Sequence, residues 1–222
     1  MKITVITPTI RPEGLVIMRE SLMKQTMPHK DWEWLVDINV TGKHDLNAAF
    51  NRMIKKSKGE LIVFYEDYTK ITPDALERWW KAYQEQPDTL FTAPLGKCDN
   101  LEFKPPYAWD WRAGKQRADQ TDYTDCLWRC CELDWGAVPK KILYEIGGFD
   151  ERLDQFWSMD NVSMGKRADI LGYKFKCLFT NPAIAYDHDA HIKHPFREFF
   201  NPVEVNKIIA EYDENPKLDF LS

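Results

Sequence analysis

The chain has 222 residues, 44% hydrophobic and 29% charged, with a net charge of -5. That is the composition of an ordinary globular protein, and an acidic average argues against a surface that binds nucleic acid over its whole extent, although a local basic groove can hide within it. The longest apolar opening stretch, Ile3 to Ile10, contains Pro8 and is far too short to cross a bilayer. No secretory leader is visible, so the expectation is a cytoplasmic protein. Its five cysteines, Cys98, Cys126, Cys130, Cys131 and Cys177, are then expected as reduced thiols, because C-x3-C-C is not a zinc spacing.

In chain order, Lys2 to Thr7 is rich in β-branched residues and predicts a strand. Leu15, Met18, Leu22 and Met23 recur at helical spacing, and Trp32 to Ile38 predicts a second strand. Asp45 is the expected N-cap of a helix whose stripe is Leu46, Ala49, Phe50, Met53 and Ile54, with Lys55, Lys56 and Lys58 at its C-terminal turn and Gly59 as its stop. Glu60 to Tyr65 predicts a third strand. Thr72 is the expected cap of the next helix, with Pro73 in its first turn and Leu76, Trp79, Trp80 and Tyr83 as its stripe. Thr89 to Ala93 predicts a fourth strand.

Strands alternating with helices in this way predict βαβ units and a largely parallel sheet. Ligands of such sheets bind beyond the carboxyl ends of the strands. The apolar run Leu61 to Tyr65 ends on two adjacent carboxylates, Glu66 and Asp67, at one of those ends. From Gly96 to Asp134 the pattern gives way to loops and short strands, rich in aromatics: Tyr107, Trp109, Trp111, Tyr123 and Trp128. Helices are expected at Pro139 to Ile146, closed by Gly147 and Gly148, and at Val162 to Leu171, closed by Gly172. A strand is expected at Tyr173 to Phe179, and Asn201-Pro202 opens a last helix to about Tyr212.

Three stretches together resemble family 2-like glycosyltransferases of the GT-A fold. They are ITVITPTIRPEGLVIMRESLMKQT, then DLNAAFNRMIKKSKGELIVFYEDYTKITPDAL, then WGAVPKKILYEIGGFDERL with MDNVSMGKRADILGYKF. They cover about residues 1 to 190, and Gly-Gly-Phe-Asp-Glu is the most specific piece. The resemblance implies an α/β fold with an open, mostly parallel sheet flanked by helices. It divides the chain into a GT-A domain over 1–195, with a nucleotide-sugar half (1–95) and an acceptor half (96–195), and a C-terminal helical tail over 196–222. It implies a hexosyltransferase-like enzyme that takes a sugar from a nucleotide-diphosphate sugar, UDP-linked by expectation, with Mn²⁺ or Mg²⁺ as cofactor, and passes it with inversion to an acceptor hydroxyl.

In that family the nucleoside is held by the Pro-Thr turn and by an Asp after the second strand, here Thr7, Pro8, Thr9 and Asp37. The Asn of the Ala-x-Asn helix, here Asn51, lies near it. Carboxylates at the diphosphate supply oxygen ligands to a divalent ion that neutralises the leaving group. The family's Asp-x-Asp falls on Glu66-Asp67-Tyr68, so Glu66 replaces the first acid and Tyr68 the second. Asp67 is the first choice as direct metal ligand, and His188 in YDHDAHIKH the expected second, with His191 as runner-up.

The catalytic base is expected at Asp160, beside Asn161, which occupies the usual base position and cannot take a proton. Asp160 would otherwise be a helix N-cap. Trp135 and Gly136, after Asp134, fit the strand that lines sugar and acceptor, unless the indole is a core residue. Phe196, Phe199 and Phe200, beside Lys193 and Arg197, read as a lid, a membrane contact or the docking face of the tail.

A glycan is the default acceptor. A modified DNA base, as in phage-type hydroxymethyl-pyrimidine glycosylation, is the alternative, because Lys104, Arg112, Lys115 and Arg117 form a basic stretch near aromatics that could hold a flipped base. A non-catalytic sugar-nucleotide-binding module is the rival from another class, favoured by Tyr68 and Asn161.

Overall fold

The computed structural model of the chain describes residues 1–39, 45–109, 123–130, 132, 135–156, 160–186 and 201–222. β1 (Ile3–Thr9) lies between β2 (Trp32–Ile38) and β3 (Leu61–Tyr65), all three parallel. β1 and β3 are buried on both faces, as inner strands of a parallel sheet must be, which is why they read as continuous apolar runs. Beyond β3 comes β9 (Trp135–Pro139), antiparallel both to β3 and to β5 (Thr89–Thr92). β5 pairs in parallel with β10 (Lys174–Leu178), and β10 pairs antiparallel with β8 (Tyr123–Asp125).

The order is β2-β1-β3-β9-β5-β10-β8, and β9 and β8 alone run against the rest. The largely parallel sheet expected from the sequence is therefore present, with one reversed strand at its centre. A smaller sheet stands beside it, in the order β4 (Thr69–Ile71), β11 (Ala183–Tyr186), β6 (Leu95–Cys98) and β7 (Ala108–Trp109).

Helices cover both faces of the main sheet. On one face α1 (Leu15–Leu22) and α3 (Ala75–Glu85) bury Met18, Leu22, Leu76 and Trp79 against Ile3, Val5, Leu61 and Val63. On the other, α2 (Leu46–Lys56), α4 (Lys140–Glu145) and α5 (Asp160–Ile170) bury Phe50, Met53, Ile54, Ile142 and Met164 against Ile6, Ile62 and Phe64. The period-two alternation of β3 assigns Leu61 and Val63 to one core and Ile62 and Phe64 to the other. Each fully buried aliphatic side chain contributes about 1.5–3 kcal/mol, so these two cores dominate the stability of the fold.

Several local expectations are corrected. Met23 lies past the end of α1 and is exposed. Asp45 occupies the N-cap position of α2, but its side chain caps nothing there; it takes hydrogen bonds from Asn39 and Arg52 instead. The free amides of Asn47 and Ala48 donate to the carboxylate of Asp154, at 2.7 and 2.9 Å, a residue more than a hundred positions away.

Gly59 does not stop α2, which ends at Lys56. Gly59 is needed because its Cα packs on the backbone of β1, where a Cβ would stand 2.3 Å from the Thr4 nitrogen. The third helix starts at Ala75 with Asp74, not Thr72, in the cap position; the residues after Asp67 form β4 first. The last two helices of the sequence analysis hold, as α5 and as α6 (Pro202–Glu211), the latter capped by the Asn201 side chain on the amides of Val203 and Glu204. Cys98, Cys126 and Cys177 are free thiols.

The Gly-Gly-Phe-Asp-Glu segment is the junction of the second core. Gly147 and Gly148 both have positive φ, 78° and 83°, and a Cβ on Gly147 would run into the backbone carbonyl of Leu218. Leu218 and Phe220 donate their amides to the carbonyls of Ile146 and Gly147, and Leu221 is buried in the second core. The described part of the tail, 201–222, is thus packed onto the junction. Tyr212 donates to the buried Asp150 at 2.8 Å, and Arg152 bridges Asp150 to Glu211. Arg167, fully buried, donates to the carbonyls of Ile146 and Gly148 and lies over the Tyr212 ring. Burial lowers its guanidinium to about 10.

Candidate active site

β1, β2 and β3 run in one direction and end at the same edge. Between those ends and the start of α2 lies an open cleft of about 740 Å³, solvent at its mouth included. Pro8, Thr9, Ile10 and Arg11 line it from the end of β1, Asp37 and Asn39 from β2, Asp45, Leu46, Ala49 and Phe50 from the start of α2, and Phe64 to Asp67 from β3. This is where an open α/β sheet binds ligands.

The register explains the contacts. Ile6 faces Phe64, so three residues further along each parallel strand Thr9 comes level with Asp67. Thr9 donates its hydroxyl to Asp67, and the backbone amide of Arg11 donates to the same hydroxyl oxygen. The Arg11 guanidinium closes on the carboxylate with two bonds: Nη2 to Oδ1 at 2.6 Å and Nε to Oδ2 at 3.1 Å. Asp67 is buried, its side chain 1% exposed, whereas that of Arg11 is 30% exposed toward the cleft. Burial alone would lower the Arg11 guanidinium, but the ion pair with Asp67 holds it above its ordinary value.

Glu66 is half-buried in the cleft floor. Burial, then the charge of Asp67, pushes its carboxyl up to about 7, against the pull of Arg11 and Lys97; Asp160 adds to the upward push. The charge of Asp160, the buried first residue of α5, is thus felt at Glu66. Asn161 follows it, half-buried, on α5.

Tyr68 stands where a second acid was looked for. It is held in a left-handed conformation (φ 49°), its amide donating to the Gly14 carbonyl and its ring lying on Gly14, where a Cβ would be 2.1 Å away. The ring fills the turn between β1 and α1, an apolar task that a carboxylate could not perform.

The other expected site residues divide. Pro8, Thr9, Asp37, Glu66 and Asp67 line the cleft together. Asp37 is held there by Arg52, at 2.8 and 3.0 Å. Thr7 is fully buried and accepts from the Trp34 indole. Asn51 is also buried and does not line the cleft: it bonds the amide and carbonyl of Phe149 and the carboxylate of Glu151, tying α2 to the glycine junction. Trp135 sits across from Tyr65 in the first core, 6% exposed, and offers no open face to a sugar. Gly136 is buried between Phe64 and Thr92. His188 and His191 lie outside the described residues, as do Asp134, Trp111, Arg112, Lys115, Arg117 and the Phe196–Phe200 cluster.

A divalent cation does not fit the described donor set. Both Asp67 oxygens are committed to Arg11 and one also to Thr9, and Tyr68 offers no second carboxylate. An ion on Asp67 would sit about 5 Å from the guanidinium, a repulsion on the order of 6 kcal/mol at an effective dielectric constant of about 20. Among the described residues no three His, Cys, Asp or Glu side chains converge in a metal-binding group. Arg11, the cation that lines the cleft among the described residues, is not marked out by the sequence motifs. The register of β1 on β3, which no local pattern contains, sets a residue just past Thr9 against Asp67.

No protein-family model matches the chain, and no curated protein sequence aligns with it. Solved structures do match by shape. S. aureus TarS 1-349 in complex with UDP superposes with a TM-score of 0.64 at 15% identity, over 98% of this chain and 67% of that one. The same protein in complex with UDP-GlcNAc gives 0.67 at 15% identity, over 98% and 68%. A longer S. aureus TarS chain gives 0.63 at 14% identity, over 96% of this chain and 43% of that one. At such identity the likeness is one of fold: this chain has the mixed α/β sheet, flanked by helices, that those TarS structures contain.

Proposed function

We propose that the chain is a glycosyltransferase that moves a sugar from a UDP-linked donor to an acceptor hydroxyl. The observation that carries this reading is the cleft at the carboxyl ends of β1, β2 and β3, lined by Thr9, Arg11, Asp37, Glu66 and Asp67, on a fold shared with a protein solved with UDP and with UDP-GlcNAc.

In this reading Pro8, Thr9 and Asp37 hold the nucleoside between β1 and β2. The diphosphate lies toward Arg11, and the sugar extends past Glu66 toward the start of α5. Asp160 there takes the proton of the acceptor hydroxyl. The freed oxygen attacks the anomeric carbon, the bond from that carbon to the β-phosphate oxygen breaks, and UDP leaves with the electron pair. One displacement with one base inverts the anomeric centre. No step runs through a metal ion.

The test is transfer or donor hydrolysis followed by proton NMR with a panel of UDP-sugars. A new anomeric signal of inverted configuration is expected. Asp160→Asn should lower its rate about 10²–10⁴-fold, the usual contribution of a general base. An unchanged rate in Asp160→Asn removes that residue from the mechanism, and no turnover of any donor contradicts the enzymatic reading.

A further inference from the structure

The ion pair at the floor of the cleft raises a chemical question: what neutralises a diphosphate at a site where the buried acid Asp67 is already bound to a cation? We propose that Arg11, held in place by Asp67, is the group that meets the donor diphosphate, doing with a fixed guanidinium what a bound divalent ion would otherwise do. This rests on the reading of the cleft as a UDP-sugar site.

The geometry supports it in three ways. First, a guanidinium carries five N–H donors. Asp67 takes one from Nε and one from Nη2, and no described residue takes the other three. Those three belong to the edge of the group that a phosphate can bind, by the same planar, charge-assisted pairing that Asp67 uses.

Second, Arg11 is pre-positioned. Thr9 donates to the Asp67 Oδ2 that also takes Arg11 Nε, and accepts the Arg11 amide at 2.7 Å, and the guanidinium lies 5.8 Å from the centre of the Tyr68 ring. Tyr68 is itself fixed against Gly14. A cation so braced loses little conformational freedom when a phosphate arrives.

Third, the substitution that removes the second acid of the family pattern is the one that builds this brace. Tyr68 does not bind a metal, but it walls the guanidinium. The acidic pair that closes β3 then serves two ends: Asp67 orients Arg11, and Glu66 faces the cleft beside it.

The test is calorimetric titration of the full chain with UDP in the presence of EDTA and again with Mn²⁺. UDP is expected to bind in EDTA, with Mn²⁺ changing its affinity by less than about threefold. Arg11→Gln should weaken UDP by about tenfold or more while leaving uridine nearly unaffected, since only the phosphates meet the guanidinium. Because Arg11→Gln leaves Asp67 buried without its partner, the double variant Arg11→Gln with Asp67→Asn supplies a neutral pair of similar shape. It should fold, keep uridine and lose the same factor for UDP.

Titration with Mn²⁺ alone gives an independent readout: the native chain should not take it up at this site, and Arg11→Gln, which frees the carboxylate, should. UDP binding that appears only with Mn²⁺, or that survives in both Arg11 variants, overturns the inference and leaves the transferase reading standing. No binding of UDP under either condition overturns both.

Discussion

At the scale of single residues the cleft is governed by how few of its charges are free. Asp67 is a buried carboxylate with three bonds from Thr9 and Arg11, and breaking such a pair by removing one partner costs several kcal/mol. Among the described residues Glu66 has no such ion pair, and its burial beside Asp67 favours the protonated form. The native pKa, about 7, stands above the ordinary 4.5. Between those values the native state binds more protons than the unfolded chain, so this group's contribution to stability falls as pH rises through that window. Glu66→Gln should therefore have the melting temperature of the native protein near pH 4 and exceed it at pH 8, with the gap opening between. A gap that is constant with pH would contradict the assignment. The adjacency of Glu66 and Asp67 at a strand end was legible in the sequence. That one of them would be consumed by an arginine was not, because the partner sits on another strand and only the register of β1 on β3 brings them level.

At the scale of elements, the strands and the main helices were legible because their apolar period is strong: Ala49, Phe50, Met53 and Ile54 are all buried on α2, as their spacing required. Helix ends were less so. Asp45, Thr72 and Gly59 carry the residue types that open or close helices, yet Thr72 and Gly59 do neither here, and Asp45 stands at the N-cap of α2 without its side chain capping an amide. The cap of α2 is supplied by Asp154, from the turn that follows the glycine junction, a contact between distant parts of the chain that no local pattern contains. Asp154→Ala should cost about 1 kcal/mol or somewhat more, read as a lower urea midpoint at an unchanged slope. Asp45→Ala should leave the α2 amides capped and cost less. If the two variants lose equally, the cap is misassigned.

At the scale of the molecule, three layers and a docked tail bring one edge of the sheet into use. The direction of the reversed β9 is not written in the sequence, because a five-residue buried run reads the same either way. It places Trp135 in the core rather than over a sugar. The Gly-Gly-Phe-Asp-Glu segment stands out in the sequence, and its physical role lies in packing: two left-handed glycines let Leu218 and Phe220 pair with the chain, while Asn51 and Asp154 tie the same region to α2 beside the cleft. No helix among the described residues is long and apolar enough to cross a membrane.

The central claim is that a UDP-linked donor binds at the carboxyl ends of β1, β2 and β3. Hydrogen–deuterium exchange with and without UDP tests it most directly. Slower exchange is expected at Thr9 to Arg11, at Asp37 to Asn39 and at Glu66 to Asp67, with α4 itself unchanged. Protection confined to any other surface, or none at saturating UDP, would contradict it.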